Sequence, residues 1–456
     1  MGIISGLLCF LLIAFYSLRN SRRVKSQDEY LLAGRHTKLL PLVATLVMTE
    51  FNTGTLISFS SLGYLAGYWA LAMPFIFLIG LLFYTLTVAK KWKQFDGVSV
   101  AHFFALRYGR KLELLVAVVL FLAMLGFSAA YIKSLTLLML PLIPIATPLL
   151  SAGLVSIVLF LTLRGGLSSI IALDLLSFVF VIIFFPLLVY FSFKLPQLNV
   201  MPDYNLAQMQ LLLPPKFIIS LTILTMFSYI IAPWYGQKIV AAKTPQTAYF
   251  AAAIAAVIIF LLYGLGILAT AILRQKGVHL TDIQLGLPYL IHNALPHELQ
   301  GVAYVVLFFV AASTLAGVWN AMVTLIVGSI FKSDAHKLNS NLLWVLLCAI
   351  GAYIIANTLI DNILSKMILF NIPIVAFCFA LLAGFYWQKA NSFGAYISIV
   401  VGIAWGVFCY LYIGEKGNYT WYWAVYGIPL LFIGGIIGSL MLTDRENTKF
   451  HKSKKQ

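Results

Sequence analysis

Long apolar runs separated by short, polar and mostly basic connections make up almost the whole chain. Scanned with a window of about 19 residues, the length of a helix that crosses a bilayer, the sequence shows thirteen such runs. They lie at approximately 1–18, 39–65, 69–89, 112–140, 146–163, 167–193, 215–237, 246–273, 299–331, 341–360, 363–387, 392–413 and 420–442. No stretch shows the alternation of apolar and polar residues that a transmembrane barrel strand requires. The pattern predicts an all-α membrane protein with about 13 transmembrane helices.

Composition sharpens this picture by exclusion. Of 456 residues, 62% are apolar and only 10% charged, against about 45–50% and about 25% in a soluble protein. So little charge cannot cover a water-facing surface, which rules out a soluble globular enzyme. The net charge of +16 is a second oddity, and its distribution explains it. One set of connections, together with the tail, holds 23 of the 30 Lys and Arg, the other set holds 5, and Lys133 and Lys366 fall inside spans. Lys238 and Lys243, after the seventh run, are counted with the richer side. By the positive-inside rule that side is cytoplasmic, the N-terminus outside and the C-terminus inside. The excess charge thus reads as an orientation signal, with the lipid bilayer and not nucleic acid as partner. The first run lacks a basic segment before it and is expected to be a retained helix rather than a signal peptide. The expected location is the plasma membrane, or the inner membrane if the source is bacterial. All four cysteines sit in apolar runs and the seven histidines in connections or near helix ends, so neither disulfides nor a haem or His/Cys metal centre is expected.

Ionisable and polar residues at membrane depth cost about 2.5–3.5 kcal/mol each on insertion scales and therefore point to function. Glu50 stands near the middle of the second span in Thr49-Glu50-Phe51-Asn52-Thr53-Gly54-Thr55. Small and polar residues around a glycine at mid-depth predict a break in the helix at Thr53-Gly54-Thr55. Unwound backbone is tolerated there only beside a cavity or protein. A continuous helix with Glu50 satisfied by a neighbouring span is the other reading. The seventh span carries Pro233 at a matching depth but runs in the opposite direction. Two interruptions five spans apart suggest an inverted repeat of discontinuous helices. Residues 1–38 would be an N-terminal helix and loop, 39–194 and 195–387 the two repeats, and 388–456 two peripheral helices and a cytoplasmic tail.

In the ninth span, Val310-Ala311-Ala312-Ser313-Thr314 places two hydroxyls about 22 Å from the outer face at 1.5 Å per residue, level with the second-span break. Such a pair can simply bond its own helix carbonyls one turn back; in the other reading, loosened carbonyls on one helix and hydroxyls plus the Val310 carbonyl on the other make a small all-oxygen cage suited to Na+. Asp174, seven residues into the sixth span, could serve a second cation or its exit path, or pair with Arg164. Lys133 could hold a substrate carboxylate, pair with Glu50 or snorkel outward.

The same segments resemble the sodium/solute symporter family, which includes the sodium/proline and sodium/glucose cotransporters. Asp28-Glu29-Tyr30-Leu31-Leu32-Ala33-Gly34-Arg35 is similar to the family's stretch before its broken helix, and Thr49-Glu50-Phe51 to a variant of that helix. Gly165-Gly166-Leu167 followed by Asp174 resembles its Gly-Gly-x7-Asp motif. Gln237-Lys238 with Ala241-Ala242-Lys243 resembles the family's exit from the seventh helix. Leu287-Pro288, Leu295-Pro296, Gly301, Ala311-Ala312-Ser313-Thr314-Leu315 and Asn320 follow its most specific pattern. The resemblance covers nearly the whole chain. It implies an inverted-repeat (5+5) fold of leucine-transporter type and sodium-driven uptake by alternating access. It implies a sodium site on the carbonyls of Met48, Phe51 and Val310 and the hydroxyls of Ser313 and Thr314. Asp174 falls at a position linked to a further sodium or to its release. The implied substrate pocket lies around Glu50, Asn52, Thr53, Thr55, Tyr131, Lys133 and Trp234. These positions differ from those of the proline and sugar carriers, so only a small polar organic solute of the amino-acid, carboxylate or sugar class is implied. A proton-coupled symporter using Glu50, and a solute receptor of the same fold that does not transport, are the competing expectations. No nucleophile–base constellation suggests an enzyme.

Overall fold

The computed structural model describes residues 2–21, 27–95, 97, 99–162, 166–199, 205–331 and 338–441. The basic tail, Arg164 and Gly165 lie outside the described residues. Each of the thirteen apolar runs falls on helix, and the described residues form no strand beyond one isolated bridge between Thr37 and Ala242. Among them, eight helices are long and apolar enough to cross a bilayer, or eleven if each of three sharply bent pairs is one span. Ile4–Phe15 and Thr147–Leu161 are shorter apolar helices. The chain is an integral membrane protein.

The helices around the site are α1 (Gly2–Ser21), α2 (Leu39–Glu50), α3 (Thr53–Ala66), α4 (Arg110–Met139), α5 (Gly166–Phe193), α6 (Pro215–Tyr229), α7 (Pro233–Val240), α8 (Pro245–Gln275) and α9 (His297–Leu325). The long helix α9 is the most enclosed, buried over 83% of its most apolar window. α1 and α4 pack on it, while α8 packs along both α2 and α3, and α5 on α2.

Two interruptions in this core have local causes. Between α2 and α3 the direction changes by 59°, and the break falls at Phe51 and Asn52 rather than at Thr53-Gly54-Thr55. The reason is a cap. Asn52 is extended, and its side-chain oxygen accepts from the Thr55 amide at 2.8 Å, so Thr53 to Thr55 become the first turn of α3. Between α6 and α7 the helix stops at Tyr229 and restarts with Pro233 in its first turn. A proline lacks the N–H that a first-turn residue would leave unpaired, so Pro233 starts a helix and does not merely kink one. The chain entering α2 is tied to the chain leaving α7: the Thr37 amide donates to the Ala241 carbonyl at 3.0 Å, and the Lys243 amide to the Thr37 carbonyl at 2.9 Å.

Gly166 opens α5 with φ of +54°, and a Cβ there would stand 2.5 Å from the Tyr30 carbonyl oxygen and 2.7 Å from the Tyr30 Cα. Backbone on both sides cannot yield cheaply, and a non-glycine residue in this region costs about 1–3 kcal/mol by itself. Gly166→Ala is expected to lower the melting midpoint in detergent by several degrees, with loss of monodisperse protein on size exclusion. An unchanged midpoint would show that this contact opens freely.

Candidate ion and solute site

The α2–α3 break is held by a network centred on Glu50, the last residue of α2 and only 2% exposed. The Tyr229 hydroxyl, at the end of α6, donates to Glu50 Oε2, and the Trp234 indole N–H, in the first turn of α7, donates to Oε1 at 3.2 Å. Both interruptions are thus joined through one carboxyl group. The Glu50 backbone carbonyl, freed by the break, accepts from the Tyr263 hydroxyl of α8 and from Asn52 Nδ2, the latter at 2.9 Å.

Two residues before Glu50, the carbonyl of Met48 faces α9. Thr314 Oγ1 lies 3.2 Å from it and 2.9 Å from the Val310 carbonyl, and Ser313 Oγ lies 3.1 Å from the same Val310 oxygen. Two carbonyls and two hydroxyls from two helices therefore converge in a fully buried spot. Oxygen donors of this kind, carbonyls freed at a broken helix plus hydroxyls opposite, suit a hard monovalent cation. Phe51, three residues after Met48, has its ring against Phe185 and Tyr263 at 4.9 and 5.0 Å between centroids.

A second polar cluster follows one turn further along α2. Lys238 of α7 and Asp174 of α5 form an ion pair at 2.9 Å, with side chains 2% and 1% exposed. Lys238 Nζ also donates to the Thr45 carbonyl at 3.2 Å and to the Thr49 hydroxyl, and the Thr45 hydroxyl donates to Asp174 Oδ2. This corrects the sequence reading, in which Lys238 was a cytoplasmic loop charge. α7 continues through Val240, so Lys238 is buried against α2 and α5. The expected alternative partner of Asp174, Arg164, lies outside the described residues.

Of the residues expected to meet a solute, Glu50 and Trp234 touch directly. Phe127 stands between Trp234 and Tyr131, with ring centroids 5.2 and 6.3 Å away. Tyr131 also backs Gly54, where a Cβ would be 3.0 Å from its Cδ1. The side chain of Asn52 is engaged at both ends by the cap, and the Thr53 hydroxyl lies 2.9 Å from that of Ser134. Thr55 is buried beside them. Lys133, half-buried and two residues after Tyr131 on α4, is not among the partners of Glu50, whose carboxyl is taken by Tyr229 and Trp234.

Tyr229, Tyr263, Thr45, Thr49 and Lys238 had not been singled out for these roles. Thr45 and Thr49 did carry a signal: an i, i+4 pair of hydroxyls lies on one helix face. Lys238 carried one too, standing four residues after Trp234. The tyrosines carried none, since an aromatic residue at helical spacing looks like core.

A membrane-spanning helical bundle in which two broken helices face long straight ones is the inverted-repeat fold of leucine-transporter type, and solved structures of transporters share it. One is a substrate-bound, outward-open Na+-coupled sialic acid symporter, described as revealing a novel Na+ site. It superposes with a TM-score of 0.79 at 15% identity over 97% of each chain. Mhp1 in its inward-facing conformation gives 0.55 at 12% identity over 90% of this chain and 93% of that one. A mutant of the manganese transporter of Eremococcus coleocola gives 0.52 at 13% over 92% and 97%. No family model matches the chain, and no curated protein does. Identities this low establish the fold alone.

Proposed function

We propose that this chain is a sodium-coupled secondary active symporter of the sodium/solute symporter family. It would import a small polar organic solute by alternating access, with its N-terminus outside and its C-terminus cytoplasmic. The observation that carries the proposal is the oxygen cluster of Met48, Val310, Ser313 and Thr314 across the α2 break. Phe51 would add a further carbonyl at that break. An ion here ties α2 to α9, two helices from different repeats in the division at residue 195. A solute at Glu50, Asn52, Thr53, Thr55, Tyr131, Lys133 and Trp234 would meet both broken helices. Coupling then follows, because two ligands that favour the same arrangement of helices strengthen each other's binding by the same factor. The Na+ coupling of the structurally similar sialic acid symporter supports the ion, not the solute.

The test is a thermal-shift screen of the purified full chain against amino acids, carboxylates, sugars and vitamins, with sodium or with choline as the cation. A ligand present at about 100 times its Kd adds about 2.7 kcal/mol to the native state. The expected result is a stabilising solute whose effect requires sodium. A solute that stabilises equally in choline would remove the coupling.

A further inference from the structure

The oxygens around Lys238 are arranged as those around a bound cation would be. An ammonium has three N–H donors and no acceptor. Here the three meet the Thr45 carbonyl at 3.2 Å, Asp174 Oδ2 at 2.9 Å and the Thr49 hydroxyl. These acceptors come from α2 and α5, while the lysine comes from α7. On the fourth side is α9. A Cβ at Gly317 would stand 3.9 Å from both Lys238 Cε and Nζ, so the ammonium lies over the one position of that face with no side chain. Gly317 follows Thr314 by three residues, on the same helix face. Neither it nor Ala316 offers a side-chain oxygen. The space next to the Ser313 and Thr314 cluster on the Asp174 side is therefore already filled by a positive charge covalently part of the chain.

We infer that Lys238 is a resident cation occupying the place beside Asp174, so that Asp174 holds no sodium and the protein binds one sodium ion, at Ser313 and Thr314. The inference rests on the sodium reading of that neighbouring cluster. Asp174 Oδ1 takes no hydrogen bond among the described residues. That oxygen can take a water, whereas a second full cation there would face the ammonium at a few ångströms, where like charges repel. Lys238 also ties α7 to α2 and α5 without an ion having to arrive, so the cytoplasmic half of the second broken helix stays docked between transport cycles. A free ion at that place would leave with each cycle; a tethered one does not.

Equilibrium binding of radioactive 22Na+ to the purified full chain tests this. Wild type is expected to bind one ion, and Ser313→Ala/Thr314→Ala none. Lys238→Ala empties the place and is expected to bind two, falling back to one in Lys238→Ala/Asp174→Asn. Two ions on wild type, one of them lost in Asp174→Asn, would overturn the inference, as would Lys238→Ala gaining none. If Lys238→Ala folds only in sodium and the double variant folds without it, the same second ion has been detected through stability. If Lys238→Ala does not fold at all, the wild-type count decides alone. A wild type that binds no sodium, with a Lys238→Ala that binds one dependent on Asp174, would keep Lys238 as the resident cation beside Asp174 but overturn the count of one sodium, together with the sodium-symport reading.

Discussion

Replacing Ser313 and Thr314 together by alanine is expected to abolish sodium stimulation of uptake in proteoliposomes while expression and melting midpoint in choline stay near wild type. The two halves of that expectation have separate causes. Each hydroxyl removed from a buried cation takes away a bond to a charged group, worth about 1.5–3 kcal/mol, or roughly one to two decades in affinity. Losing two moves sodium binding out of any useful range. The fold is spared because both hydroxyls point at the carbonyl of Val310 on their own helix, which keeps its place in the helix ladder. Alanine is the best helix former. The one oxygen that loses an outside partner is the Met48 carbonyl. Sodium dependence unchanged in the double variant would remove the ion from this cluster.

How far the sequence goes towards this site depends on the kind of signal. Spans announce themselves because lipid demands about 20 apolar residues in a row, and all thirteen runs fall on helix. The two breaks were visible as Gly54 with its polar neighbours and as Pro233, since few residue types loosen a helix in a membrane. Their positions were less so. Asn52 reads as one polar residue among several until its side chain is seen capping Thr55, and that moves the break two residues upstream. Contacts between distant segments were not legible at all. Tyr229 and Tyr263 reach Glu50 from 179 and 213 residues away, and nothing in their local sequence separates them from other core aromatics. Lys238 was misplaced because hydropathy averages over a window. A single buried lysine at a helix end lowers the score as a loop lysine would, and only its partner Asp174, 64 residues earlier, distinguishes the two. The same logic separates the oxygen cluster from the residues proposed to meet a solute. A cluster of carbonyls and hydroxyls needs only generic oxygens at predictable depths, whereas the proposed solute residues are gathered from α2, α3, α4 and α7.

Glu50→Gln is expected to leave the fold and sodium binding intact and to cut solute uptake by about 5- to 30-fold. The carboxyl group accepts from Tyr229 at one oxygen and from Trp234 at the other. An indole N–H can only donate, so glutamine must turn its carbonyl oxygen to Trp234 and its amide to Tyr229. The tyrosine hydroxyl can accept as well as donate, so both contacts persist, at the cost of leaving the Tyr229 O–H and the second amide N–H without an acceptor in this network. Glu50→Ala, by contrast, leaves the Tyr229 hydroxyl and the Trp234 N–H without partners, at about 1–3 kcal/mol each, and is expected to unfold more readily. What glutamine removes is charge. The bond between α2 and the α6–α7 break then becomes one between neutral groups, and replacing a charged bond by a neutral one forfeits about 1–2 kcal/mol. The ion cluster uses none of these atoms, so 22Na+ binding should persist. The same variant separates sodium from proton as the coupling ion. Wild-type proteoliposomes are expected to accumulate solute under an inward sodium gradient at equal pH, and not under an acid-outside gradient in choline. Accumulation driven by the pH gradient, and lost in Glu50→Gln, would make Glu50 the proton carrier and leave the Ser313 and Thr314 cluster without a role in coupling.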